Sequence, residues 1–163
     1  MSAKRRGRGR AGDAPKRGGP ERRVTALSHV AIATSDADAL ADRFGAALGA
    51  VRGEEELLDG GALRVLFVHL GPLTLELLEP RGTGHTVTRF LEKRGPGLHH
   101  VSLEVADLEG SIAECRAAGV QPIDESPRAG AAGTRVAFLQ PKSLGGVLVE
   151  LVERRRASEP RTR

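Results

Sequence analysis

The chain has 163 residues, enough for one domain with a substantial core or for two small fused modules. It has no apolar run of membrane-spanning length and no apolar N-terminal segment of the secretory type, the pattern expected of a soluble intracellular protein. A lone cysteine, Cys115, excludes an internal disulfide and a cysteine-based zinc site.

The formal charge of +4 hides a segregation. Residues 1–23 hold nine Lys/Arg against two acids, whereas residues 24–153 hold 11 basic and 18 acidic side chains. The last ten residues, 154–163, hold five arginines and one glutamate. The middle is therefore acidic, and the alkaline pI belongs to the ends. The opening "MSAKRRGRGRAGDAPKRGGPERR" has almost no large apolar residues and reads as a disordered basic tail. Residues 154–163 read as a second basic tail. Charge of this kind can touch nucleic acid weakly, but no aromatic residue is present to stack on bases, so a plain solvated tail is expected.

In chain order, "LSHVAIA" predicts a strand over 27–33. Asp36 is placed to cap a helix running to about Leu48. Three strands follow, roughly over 51–57, 63–70 and 73–79. The segment "GHTVTRFLEKRGPG" (84–97) predicts a linker with a short helix through Phe90. The series then returns: a strand in "GLHHVSLEV", a helix capped by Asp107 and stopped before Gly119, and strands over 120–124, 135–140 and 147–153.

This return is an internal repeat. "LSHVAIATSDADAL" (27–40) lies over "LHHVSLEVADLEGS" (98–111) at an offset of 71, which pairs His29 with His100 and Asp36 with Asp107. "RVLFV" (64–68) lies over "RVAFL" (135–139), and "GPLTLELLE" (71–79) over "GGVLVELVE" (145–153), so Glu76 pairs with Glu150 and Glu79 with Glu153. The expected fold class is α+β, with two pseudo-symmetric βαβββ modules, about 27–80 and 98–153, forming a shared cleft. Arg64 and Arg135 are repeat-related and predict cross-strand salt bridges. Cys115, among alanines on a helix, predicts core filler.

Four polar residues stand out. Because neighbouring strand residues point to opposite faces, His100 rather than His99 is the inward-facing histidine. Glu76 and Glu150 each sit between aliphatic residues, where an unpaired carboxylate would cost several kcal/mol. Two imidazoles and two carboxylates in one cleft suit a divalent cation such as Co²⁺, Mn²⁺, Ni²⁺, Fe²⁺ or Zn²⁺. The plainer reading is two separate buried His–Glu ion pairs.

From about Leu27 to Glu153, the blocks "SHVAIA", "LELLEP", "FLEKRGPGLHHVSLEV", "AAGVQPIDESPRAGAAGTRVAFLQPKS" and "GGVLVELVE" resemble, in order, the vicinal oxygen chelate superfamily and within it the methylmalonyl-CoA epimerase family. The resemblance implies a vicinal oxygen chelate domain over 24–153 and a metal, Co²⁺ foremost, held by His29, Glu76, His100 and Glu150. It implies epimerisation of (R)- and (S)-methylmalonyl-CoA through an enolate that the metal stabilises. Some members carry a non-ligand glutamate on the strand matching 63–70; here that place falls on Arg64 or Val65. Glu150 and Glu76 are therefore the expected proton carriers, with Glu54, Glu55 and Glu56 as alternative bases or a solvated turn. Lys142 and Ser143 suit a CoA phosphate or pantetheine arm as well as they suit a polar turn. A homodimer in a bacterial cytoplasm, acting on an acyl-CoA without membrane contact, completes the expectation. Two alternatives share the scaffold: a glyoxalase I-type lyase acting on a thiol hemithioacetal, and a non-enzymatic small-molecule-binding module.

Overall fold

The computed structural model describes residues 24–154, so the expected tail at 1–23 and all but the first residue of the one at 154–163 lie outside the described residues. The first module runs through β1 (Val24–Ala33), α1 (Ala37–Leu48), β2 (Val51–Leu58), β3 (Leu63–Leu70) and β4 (Leu73–Pro80). Helix α2 (Thr86–Arg94) links it to β5 (Gly97–Val105), α3 (Leu108–Ala117), β6 (Arg128–Ala129), β7 (Arg135–Leu139) and β8 (Val149–Glu153). The strands form one eight-stranded sheet in the order β2-β3-β4-β1-β5-β8-β7-β6.

The register shows how faithfully the repeat is folded. Strands β1 and β5 meet antiparallel at the centre, with His29 opposite Ser102 and Ala31 opposite His100. Strand β4 pairs parallel with β1, setting Ala31 beside Glu76, and β8 pairs parallel with β5, setting Ser102 beside Glu150. The two modules are thus related by a pseudo-twofold axis through the β1–β5 seam.

Local chemistry sets the element ends. Asp36 and Asp107 cap α1 and α3 alike, each carboxylate accepting a backbone N–H from three residues on at 2.9 Å. Glu79 and Glu153, at the ends of the strands beneath, accept the N–H of Ala37 (2.7 Å) and Leu108 (3.2 Å) and dock each helix start on its sheet. Arg64 and Arg135 stand opposite Glu79 and Glu153 and reach them at 3.4 and 2.9 Å. Gly49 ends α1 in the left-handed region at φ 70, and Gly119 follows α3 at φ 80.

The outer face of the sheet carries the core. Leu66, Val68, Leu75 and Leu77 pack under Ala37 and Ala41 of α1. Ala137, Leu139 and Leu151 pack under Leu108 and Ile112 of α3, with Cys115 at the border of that cluster. A third cluster, with Val65, Leu78 and Val87, lies where α2 covers one end of the inner face.

Two expectations change. Residues 120–124 form no strand: they contribute one bridge, Pro122 to Leu139, and the module's outer strand shrinks to Arg128–Ala129. The bridge rests on the Ile123 N–H donating to the Phe138 carbonyl (2.7 Å) and the Gln140 N–H donating to the Gln121 carbonyl (2.8 Å). Pro122, whose missing N–H would face away from β7, is tolerated there, and the bend over 123–126 ends the pairing. Glu54–Glu56 form no solvated turn. They lie within β2, where a register shift between Arg52 and Glu55 directs Glu54 and Glu56 to the cleft and leaves Glu55 to Arg64.

Candidate active site

The inner face of the sheet lines a cleft of about 1180 Å³. At its floor, on the central strands, lie His29, Glu76, His100 and Glu150, each no more than 7 % exposed. His29 is the hub. Its Nε2 lies 3.3 Å from Nε2 of His100 and 3.3 Å from Oε2 of Glu150, and its Nδ1 lies 3.4 Å from Oε1 of Glu76. Nε2 of His100 lies 3.8 Å from the same Glu150 oxygen. This is one cluster rather than two independent His–Glu pairs.

His29, His100 and Glu150 each bring one donor atom within 4.8 Å of the other two. Glu76 stands to one side, on the Nδ1 edge of His29. The donor set fits a divalent cation. Burial, first of all, lowers the proton affinity of both imidazoles, His29 to about 4 and His100 to about 2, so their lone pairs are free at neutral pH. Burial raises Glu76 to about 8, helped by the charges of Glu150 and Glu56, and raises Glu150 to about 7. A bound cation would relieve the strain of crowding carboxylates in a dry site.

Two neighbours of the cluster were not anticipated from the sequence. His99 does not turn away. Its Nδ1 lies 2.9 Å from Nδ1 of His100, and its ring meets Phe90 of α2 edge-on at 4.9 Å. One shared N–H between the two Nδ1 atoms leaves Nε2 of His100 to face the cluster. The alternation rule fails here because the β1–β5 register shifts between Ala31 and Ile32, beside the start of β5. Ser102, fully buried, donates its hydroxyl to Oε2 of Glu150 at 2.6 Å. The sequence signal for Ser102 was its offset of 71 from Ala31, a break in the repeat.

The place shared by Arg64 and Val65 resolves in favour of the apolar residue. Val65 lines the cleft. Arg64 points to the helix side, held by Asp38 at 2.9 Å and Glu55 at 2.6 Å. Lys142 and Ser143 sit on a 3₁₀ turn, Pro141–Ser143, outside the main cleft. That turn borders a smaller groove of about 420 Å³, lined by Arg89, Lys93 and Arg94 of α2, which reaches His99 and His100.

The sequence profile described as Glyoxalase/Bleomycin resistance protein/Dioxygenase superfamily matches residues 28–138. The chain is 36% identical over 126 residues to the mitochondrial methylmalonyl-CoA epimerase of Mus musculus, covering 77% of this chain and 71% of the relative. It is 38% identical over 127 residues to the ethylmalonyl-CoA/methylmalonyl-CoA epimerase of Cereibacter sphaeroides, covering 77% and 95%. Among solved structures, a variant of the Streptomyces coelicolor methylmalonyl-CoA epimerase in complex with 2-nitronate-propionyl-CoA superposes with a TM-score of 0.76 at 32% identity, covering 82% of this chain and 99% of that chain. With the repeat, the pseudo-twofold sheet and the His/Glu floor all in one chain, it belongs to this superfamily of the vicinal oxygen chelate fold, and within it to the methylmalonyl-CoA epimerase family.

Proposed function

We propose that this enzyme interconverts (R)- and (S)-methylmalonyl-CoA through an enolate, with His29, Glu76, His100 and Glu150 holding a divalent cation, Co²⁺ foremost. The observation that carries this reading is the placement of one carboxylate from each module about a histidine pair on the floor of a single cleft. The relatives' names supply the substrate class, and the bound acyl-CoA analogue of the Streptomyces structure agrees with a CoA thioester.

The cation, when bound, supplies positive charge that stabilises the enolate oxygens. The remaining work falls to the chain. C2 of the substrate is α to a thioester carbonyl, which takes up the charge left when a base removes the proton. The substrate's own carboxylate opposes that charge, so the step depends on the positive charge that a bound cation would supply. Inversion needs a base on one face of C2 and an acid on the other. Glu76 and Glu150, carried by β4 and β8, are the pair: one takes the C2 proton, the other returns a proton to the opposite face, and their protonation states end exchanged. The apolar wall of Val65, Phe67, Val136 and Phe138 keeps water from the carbanion. Lys142 and Ser143, on the turn whose Pro141 borders the smaller groove, act with the basic face of α2 to receive the phosphates and pantetheine arm. The enzyme works as a cytoplasmic homodimer without a membrane or nucleic-acid partner.

The test is proton exchange at C2. Protein stripped and reloaded with Co²⁺ is incubated with (S)-methylmalonyl-CoA in D₂O and followed by NMR. Metal-dependent deuterium uptake with conversion to the other epimer is expected. Bound metal without exchange would sink the epimerase and send the search to hemithioacetals.

A further inference from the structure

The repeat makes Glu76 and Glu150 equivalent in sequence, and the sheet makes them equivalent in register, yet the residue beside each on the neighbouring parallel strand differs by one heavy atom. The residue beside Glu150 on the neighbouring parallel strand is Ser102, and the residue beside Glu76 is Ala31. Both are 0 % exposed. Ala31 shows that this position needs no hydroxyl for packing. A buried hydroxyl must nevertheless find an acceptor, and the one that Ser102 finds, at 2.6 Å, is Oε2 of Glu150. That oxygen is the one within 3.3 Å of His29 and 3.8 Å of His100.

We propose that Ser102 is a positioning residue that fixes one oxygen of Glu150, Oε2, toward the metal and leaves Oε1 to carry the proton, while Glu76, which has a methyl group at the matching place, is the more loosely held of the two carboxylates. The inference rests on the function proposed above and assigns unequal parts to its two acids. A carboxylate oxygen carries two lone pairs, so Oε2 can accept from Ser102 and face the imidazoles at the same time. The hydroxyl removes the torsional freedom that would let this oxygen turn away, as the partners of metal ligands commonly do. Glu76 meets His29 only at Nδ1, on the side away from His100 and Glu150, and the residue beside it on β1, Ala31, offers no hydroxyl to hold its carboxylate.

The experiment measures Co²⁺ affinity, by competition with a chromophoric chelator, for the stripped full-length protein and three variants, with melting temperature as the folding control. Ser102→Ala is expected to bind Co²⁺ about 10- to 100-fold more weakly. Ser102→Cys, which keeps the volume but offers a weak donor, is expected to resemble Ser102→Ala. The double variant Ala31→Ser with Ser102→Ala moves the hydroxyl to the other module and is expected to regain affinity while turnover stays below wild type. Ser102→Ala within about twofold of wild type would overturn the proposal, and so would Ser102→Cys with wild-type affinity, because packing alone would then explain the serine. A wild-type protein that binds no Co²⁺ would remove the proposed function together with this inference.

Discussion

The imidazole of His29 illustrates how much of this protein depends on single side chains. Both of its nitrogens are engaged, one with Glu76 and one with His100 and Glu150, so His29→Ala is expected to abolish metal binding and turnover while leaving a folded protein, checked by metal analysis and circular dichroism. Glu76→Gln keeps the shape and removes the proton carrier. A drop in kcat of about 10²- to 10⁴-fold is expected, the usual contribution of a general acid or base. Full turnover with full metal content would refute that role for Glu76.

Protons compete with metal in this cluster, and the direction can be worked out. With no metal bound, Glu76 and Glu150 hold their protons up to about 8 and 7, so metal binding at pH 6 must expel protons that at pH 8 have mostly left Glu150 and half left Glu76. Affinity is expected to rise across that interval. Calorimetry in buffers of different ionisation enthalpy would show proton release that shrinks as pH rises.

At the scale of elements, each helix start is held by an aspartate cap and by a strand-end glutamate. Asp36→Ala and Asp107→Ala are each expected to cost about 1 kcal/mol in denaturant unfolding. The two repeat-related arginines provide a sharper comparison. The Arg64 side chain is 8 % exposed and meets Asp38, Glu55 and Glu79, whereas that of Arg135 is 35 % exposed and meets Glu109 and Glu153. Breaking a fully buried pair costs about 3–5 kcal/mol. Asp38 and Glu55 are half exposed, so Arg64→Leu is expected to fall short of that, near 1–3 kcal/mol. Arg135→Leu is expected to cost less than Arg64→Leu. The reverse order would mean that burial does not govern these bridges.

At the scale of the whole molecule, the buried cluster couples stability to pH. Histidines lowered from 6.5 to about 4 and below leave the unfolded chain binding more protons, so their part of the stability rises with pH up to about 6.5. Glutamates raised from 4.5 to about 7 and 8 leave the native state binding more protons, so their part falls with pH from about 4.5 onward. The two oppose each other below 6.5. Above it only the glutamates remain, so the melting temperature of the stripped protein is expected to fall between pH 6.5 and 8, and saturating Co²⁺ is expected to remove that fall.

The sequence alone determined the duplication, the caps at Asp36 and Asp107, and the pairing of His29 with His100 and Glu76 with Glu150, because a repeat and a hydrophobic period are properties of spacing. It also marked Arg64 and Arg135 for cross-strand salt bridges, whereas their partners Glu79 and Glu153 came from the register of the folded sheet. Facing and distance were decided only by the tertiary structure. A shift in register brought His99 onto His100, another turned Glu56 inward, a bend over 123–126 cut the strand at 120–124 to a single bridge, and the choice between Arg64 and Val65 at the cleft fell to Val65. Ser102 could be read as a break in the repeat, but its meaning lay in 2.6 Å to one oxygen of Glu150, which no spacing rule contains. Periodicity is local and survives in the chain, whereas the contact that distinguishes one carboxylate from its twin forms only when two strands 48 residues apart lie side by side.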